Sequence, residues 1–170
     1  SLSNLANLLR AQNKLAEAEP MFRRALEIRK KALGEDHPNV ANPRGSPGVL
    51  LDAKARKFDE GGASDPAALA RIYTEAADMQ TPAYGAEDED VLRCRRRAAE
   101  LAGNYDEAET MCRSALAIKE NTLGEDHPDV ANSRGHLGIL LDKKARKLDE
   151  DGASDPATLA RIYTEAADMM

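Results

Sequence analysis

Residues 17–79 of this 170-residue chain return at 107–169, with about three quarters of the positions identical and no gap. Leu-Gly-Glu-Asp-His-Pro at 33–38 recurs at 123–128, and Leu-Ala-Arg-Ile-Tyr-Thr-Glu-Ala-Ala-Asp-Met at 69–79 recurs unchanged at 159–169. A duplication of this size favours a stacked array over one compact globule, because each unit buries its apolar face against the next. Composition decides what the units are made of. Apolar residues are 42% of the chain, but aromatics only 4%, with no Trp. An interior of Ala and Leu suits closely packed helices, whereas sheets favour aromatic and β-branched residues. The chain is expected to be all-α.

The helices can be read in order. Leu2, Leu5, Ala6, Leu8 and Leu9 form one apolar stripe, and Leu15, Ala18, Phe22, Ala25, Leu26 and Leu33 a second after a break at Asn13-Lys14. Gly34 ends that helix, with Lys30 and Lys31 beside the negative end of its dipole, and Pro38 can open the next. Pro43, Gly45, Pro47 and Gly48 interrupt the next segment, so regular helix is expected from Ser46-Pro47, with Leu50, Leu51, Ala55 and Phe58 buried and Asp52 paired to Arg56 outside. Gly61-Gly62 stops it. Asp65 caps a helix opened by Pro66 and expected to end near Met79, and 80–89 reads as a connector. The second copy predicts helices near 90–102, 105–122, 128–150 and 156–169. The count is eight helices in four antiparallel hairpins: 1–37, 38–79 with a lengthened first helix, 80–127 including the connector, and 128–170 with the same lengthening. The added segments 54–63 and 144–153 keep helical spacing and are expected to prolong those first helices.

Several function classes are disfavoured. A net charge of −6 and a pI near 5.2 weigh against nucleic acid as partner. The charge is uneven, with residues 1–34 basic and the remainder acidic. Cys94 and Cys112 form no metal-ligand or disulfide pattern and read as reduced thiols of a cytoplasmic protein. No run is apolar enough for a membrane span, and no signal peptide is visible. His37 and His127 each precede a proline at the same repeat position, which points to turn packing or capping. No nucleophile–base pair, metal cluster or glycine-rich phosphate loop is visible, so neither enzyme activity, a metal nor a cofactor is expected. The chain begins and ends within helical patterns and reads as part of a longer repeat array.

Asn4-Leu5-Ala6, Leu9, Ala18-Glu19, Phe22 and Ala25-Leu26, closed by Leu33-Gly34-Glu35-Asp36-His37-Pro38, resemble a tetratricopeptide repeat, more narrowly the 42-residue variety of kinesin light chains. Ala6, Ala18 and Ala25 stand at the family's small positions, as do Gly103, Ala108 and Ala115. Gly48, Ala70 and Ala77, with Gly138, Ala160 and Ala167, fit if about ten residues are added between the helices. The resemblance implies a right-handed superhelical α-solenoid whose first helices line a concave groove that binds a peptide segment of a protein partner. The groove residues it implies are Asn4, Asn7 and Arg10, then Ser46 and Asp52, then Cys94, Arg97 and Glu100, and finally His136 and Asp142. Asn can bond peptide amides and carbonyls together, and Arg can hold a carboxylate bidentately.

Arg93, Arg95, Arg96 and Arg97 could receive an acidic partner segment, or be neutralised by Glu87-Asp88-Glu89-Asp90 just before them. Arg95 and Arg96 replace Leu5 and Ala6 of the first unit, and buried arginines need partners. That helix is therefore expected to turn its arginines outward and pack loosely, with a hinge within 80–102. The alternative to a peptide-binding module is a structural spacer, or a regulatory arm of a larger scaffold or enzyme, with nothing in the groove.

Overall fold

The computed structural model describes residues 2–34, 37, 40, 47–62 and 65–169. Among them it contains eight α-helices and no strand: α1 (Leu2–Ala11), α2 (Leu15–Leu33), α3 (Pro47–Glu60), α4 (Pro66–Tyr84), α5 (Glu89–Leu101), α6 (Tyr105–Leu123), α7 (Pro128–Glu150) and α8 (Pro156–Met169). Two compact units divide them, residues 1–102 and 103–170.

Turn chemistry accounts for the boundaries. Gly34 and Gly124 adopt φ of 87° and 86° to close α2 and α6, a region where a side chain would be strained. Each turns its N–H back to the helix, Gly34 to the Lys30 carbonyl and Gly124 to the Glu120 carbonyl. His127 caps α7: its Nδ1 accepts a hydrogen bond from the Asp129 amide at 3.1 Å, with Pro128 as the first helical residue. Asp65 caps α4 by accepting from the Ala67 amide, and Asp155 accepts from the Ala157 and Thr158 amides before α8. The expected Ser46 cap and the Pro38 start lie outside the described residues. The lengthened segments are helical through Glu60 and Glu150.

In the first unit α1 packs on α2, α2 on α3, α3 on α4 and α4 on α5. Ala6, Leu9, Ala18, Phe22 and Leu50 make one core, and Ala6 and Ala18 are fully buried where helices touch. A second core joins Leu51, Ala55, Leu69, Tyr73, Ala76 and Ala77 to Val91, Cys94 and Ala98 of α5. Gly48 is a true close approach, since a Cβ there would lie 2.8 Å from the Ala76 carbonyl oxygen. In the second unit α6 packs on α7 and α7 on α8, with Ala108, Leu137, Leu140, Leu141 and Ala145 buried.

Several expectations need correction. Helix α4 does not end near Met79 but runs through Pro82 to Tyr84. Gln80 is buried and its Nε2 donates to the Gly48 carbonyl at 3.2 Å, while Thr81 donates to the Ala77 carbonyl at 2.7 Å. These contacts hold the last turns against the proline. Phe58 is not in the core but 44% exposed. Gly103 serves a turn, at φ 75°, rather than a helix contact. Helix α5 is not loosely packed. It buries Val91, Leu92, Cys94, Ala98 and Ala99, whereas α1 buries Ser3, Ala6 and Leu9, so apart from Ala99, which matches Leu9, the face is rotated relative to the repeat alignment. The rotation leaves the arginines partly exposed, as expected, and gives each of them a partner. The division between units falls after Ala102, at the far edge of the segment where a hinge was expected.

Candidate interaction site

Helix α1 carries the first three groove candidates. Ser3, Ala6 and Leu9 face inward, which sets Asn4 in solvent and leaves Asn7 and Arg10 half-buried beside the apolar stripe. Arg29 of α2 donates to the Ser3 hydroxyl at 2.6 Å and ties the two helices together. The Asn7 Oδ1 is buried and has no hydrogen-bond partner within the described residues. An amide oxygen in that state lacks the bond it would have in water, which costs stability.

Asp52, Arg97 and Glu100 are placed differently. They belong to an ion-pair array joining α3 to α5. Asp52 is buried, and both its oxygens accept from Arg93, at 2.9 and 2.8 Å, with Arg56 at 3.4 Å. The expected Asp52–Arg56 pair exists, but its carboxylate faces the interior. One turn further along α5, Arg97 donates bidentately to Asp59 at 2.6 Å and to Glu100 at 3.0 Å. Arg96 also pairs with Glu100, and Arg95 donates to the Thr81 hydroxyl at 3.1 Å. The run that could have met an acidic partner is thus matched mainly by Asp52, Asp59 and Glu100, with Asp90 as a minor contributor to Arg93 at 3.1 Å. Bidentate pairs of this kind fix the register of a helix as well as holding it.

This array perturbs its neighbours. Burial, then the negative charge of Asp52, pushes the Cys94 thiol up to about 12, so it stays protonated and unreactive at neutral pH. Burial and the Asp59 carboxylate likewise hold the Tyr73 hydroxyl at about 12, and that hydroxyl donates to Asp59 at 3.3 Å. Burial alone would lower Arg93, but its hydrogen bonds and attraction to Asp52 outweigh that and raise it.

Of the remaining candidates, Ser46 lies outside the described residues. His136 is exposed on α7. Asp142 is 31% exposed in its side chain and pairs with Arg146 at 2.9 Å. Among the described residues of the first unit, α1 and the α3–α5 array belong to different side-chain clusters, and His136 and Asp142 belong to the second unit.

A feature that helical periodicity hid is a cavity of about 370 Å³ between the α1–α2 turn and the far end of α3. Leu15, Ala16 and Phe58 supply its apolar lining, and Asn13, Lys14, Glu17, Lys54 and Lys57 its polar lining. The exposed Phe58 was the signal, but at its spacing from Leu51 and Ala55 it reads as core. Among the described residues no group of His, Cys, Asp and Glu could hold a metal ion, and no helix is long and apolar enough to cross a membrane.

Two family models, both described as tetratricopeptide repeat, match residues 1–39 and 97–150, together more than half of the chain. No curated protein gives a significant match. Among solved structures, BtubC (BKLC) from P. vanneervenii is similar, with a TM-score of 0.52 and 20% identity over 99% of this chain and 70% of that one. That likeness shows the fold, an all-α array of helix hairpins. The nearly identical TPR-like repeats of a Podosopora anserina protein assigned as a kinesin light chain align over 99% of this chain and 93% of theirs, with a TM-score of 0.47 and 16% identity.

Proposed function

Because this chain is a member of the tetratricopeptide-repeat family, we propose that it is a protein-interaction module holding a peptide segment of a partner in a groove lined by the first helix of each hairpin. The observation that carries the reading is the row of Asn4, Asn7 and Arg10 along α1, beside its buried stripe of Ser3, Ala6 and Leu9. Asn7 and, one turn away, Asn4 offer side-chain amides to the backbone of an extended or helical peptide, and Arg10 binds a carboxylate. The basic character of residues 1–34 favours a segment with acidic residues. Arg97, Glu100, His136 and Asp142 extend the proposed groove, and Ser46 and Asp52 complete the set. Asp52, Arg97 and Glu100 already hold partners in their own chain, so in this reading they shape the groove while α1 makes the energetic contacts.

The test is a peptide array probed with the intact chain and with an Asn4→Ala/Asn7→Ala/Arg10→Ala variant. The expected result is a loss of about tenfold or more in affinity for the peptides that bind. Equal binding by both proteins removes the groove assignment. One observation favours a second reading, a spacer that sets distance inside a larger scaffold: so many of the candidate side chains are saturated from within. Capture of no peptide by the intact chain supports that reading. Nothing in the site gives a reaction to assign, and the module is proposed to act without catalysis in the cytoplasm.

A further inference from the structure

The cavity between the α1–α2 turn and the end of α3 includes none of the groove candidates, and its volume of about 370 Å³ lies within the range of small-molecule sites, roughly 300–1,000 Å³. Leu15 is half-buried against the neighbouring core, and Phe58 stands 44% exposed on α3. A half-bare aromatic ring in a concave site is apolar surface that a ligand can take out of water. Three ammonium groups, Lys14, Lys54 and Lys57, share the lining with one carboxylate, Glu17. Lys54 is held by Glu19 at 3.1 Å, whereas Lys14 and Lys57 have no ion pair among the described residues. The matching positions of the second unit are neutralised from within. There Lys144 is bound by Asp106 at 2.6 Å and Lys147 by Asp151 at 2.9 Å. The first unit has Ala16 and Gly61 where those aspartates stand, and Lys14 where the second has Asn104. Three differences between otherwise similar segments thus leave cationic charge unmatched at the cavity.

We propose that this cavity binds a small amphipathic anion, an apolar chain or fused aromatic body ended by a single carboxylate or sulfonate. The body lies against Leu15, Ala16 and Phe58, and Lys14 and Lys57 hold the head. Lys54 is already committed to Glu19 and contributes less. An ammonium group on a flexible stem follows a head group of any shape and imposes no fork geometry, unlike a guanidinium. The site therefore selects by charge and apolar bulk rather than by head-group geometry. Glu17 in the lining and Glu19 on Lys54 repel extra negative charge, which favours a monoanion over a phosphate dianion. A neutral body of the same shape gains only the apolar contacts. The site lies within the first unit, uses no residue of the proposed groove and does not depend on it.

The probe is anilinonaphthalene sulfonate, titrated with the full 170-residue chain and followed by its fluorescence, with phenylnaphthylamine as the uncharged counterpart. Saturable one-to-one binding of the sulfonate is expected, about tenfold or more tighter than that of the amine, with displacement by decanoate. Ala16→Asp/Gly61→Asp installs the acids of the second unit at two exposed positions. It is expected to weaken the sulfonate about tenfold or more and to leave the amine unchanged. Lys14→Gln/Lys57→Gln is expected to do the same, and circular dichroism to show unaltered helix content in both variants. Failure of the sulfonate to saturate at millimolar protein overturns the proposal. So does binding that neither variant weakens, which would place the dye elsewhere. Equal affinity for the dye and its uncharged counterpart, or no displacement by decanoate, also overturns it by removing the role of the anionic head.

Discussion

Helices α4 and α8 contain the same eleven residues, 69–79 and 159–169, preceded by the same aspartate cap and proline start. They form the same secondary structure, but Tyr73 is enclosed and Tyr163 is not. The difference comes from α5, which lays Val91, Cys94 and Ala98 on α4 and anchors itself through Arg93–Asp52 and Arg97–Asp59. Local sequence therefore determines which helix forms, while burial is decided by a neighbour outside the duplicated segment. A second set of contacts behaves oppositely. Lys54–Glu19–Arg23–Glu75 in the first unit and Lys144–Glu109–Arg113–Glu165 in the second are linked in the same order at similar distances, with Asp106 as an added partner of Lys144 at 2.6 Å where the first copy has Ala16. Every member of that chain lies inside the duplicated stretch, so the duplication reproduces it.

The largest expected contrast is at the tyrosines. Truncating Tyr73 to Ala removes a buried ring and should cost about 3–5 kcal/mol, whereas Tyr163→Ala should cost under about 1 kcal/mol. Urea denaturation of the two variants measures the gap. Equal losses would mean that α8 carries a cover comparable to α5.

Next in size is the carboxylate pair. Asp52→Asn leaves Arg93 facing a neutral group in a half-buried site and should destabilise by about 3 kcal/mol. Asp142→Asn touches only a surface i,i+4 pair and should stay within about 0.5 kcal/mol. Arg93→Met in the Asp52→Asn background is expected to recover part of the loss, because a buried pair replaced by apolar groups is less costly than one left half-made. No recovery would show that Arg93 contributes through packing alone.

The smallest effects concern the ion pairs that the copies share. Burial tends to raise Glu19 and Glu109, but hydrogen bonds and attraction from Lys54 with Arg23, and from Lys144 with Arg113, bring both below 4.5 on balance. A carboxylate lowered by folding contributes stability that is complete above its unfolded value and is lost as pH falls through the folded one. Stability should therefore decline below about pH 4.5, with similar contributions from the two glutamates. Lys54→Met and Lys144→Met should each flatten the acid limb of denaturation midpoint against pH, Lys144→Met at least as much because it also releases Asp106. A flattening in one variant and not the other would break the equivalence of the two chains of contacts.

Much of the fold was legible because the signals are local. The proline and aspartate starts, the Gly34 and Gly124 stops and the stripe of small residues each act over one helical turn. The continuation of α4 to Tyr84 was not, since the long-range Gln80–Gly48 hydrogen bond holds it across 32 positions of sequence. The α5 arginines illustrate the same limit. Alignment with Leu5 and Ala6 marked them as misfits, yet their partners Asp52 and Asp59 lie 41 and 38 residues earlier, and no periodicity in α5 points to them. The half-buried position of Asn7 beside the apolar stripe was legible from helical spacing. Asp52 was read correctly as paired with Arg56 and incorrectly as outward, because the helix that covers it could not be positioned from its own sequence.

That α5 alone separates the fates of two identical helices is tested most directly by amide hydrogen exchange resolved residue by residue with NMR. The stretches 69–79 and 159–169 have identical intrinsic exchange chemistry along their shared sequence, so differing protection reports structure only. Exchange is expected to be much slower at Ile72–Ala77 than at Ile162–Ala167, and that difference is expected to collapse in Arg93→Ala/Arg97→Ala. Equal protection of the two stretches in the unmodified chain, or a difference that survives loss of both arginines, would contradict the role given to α5.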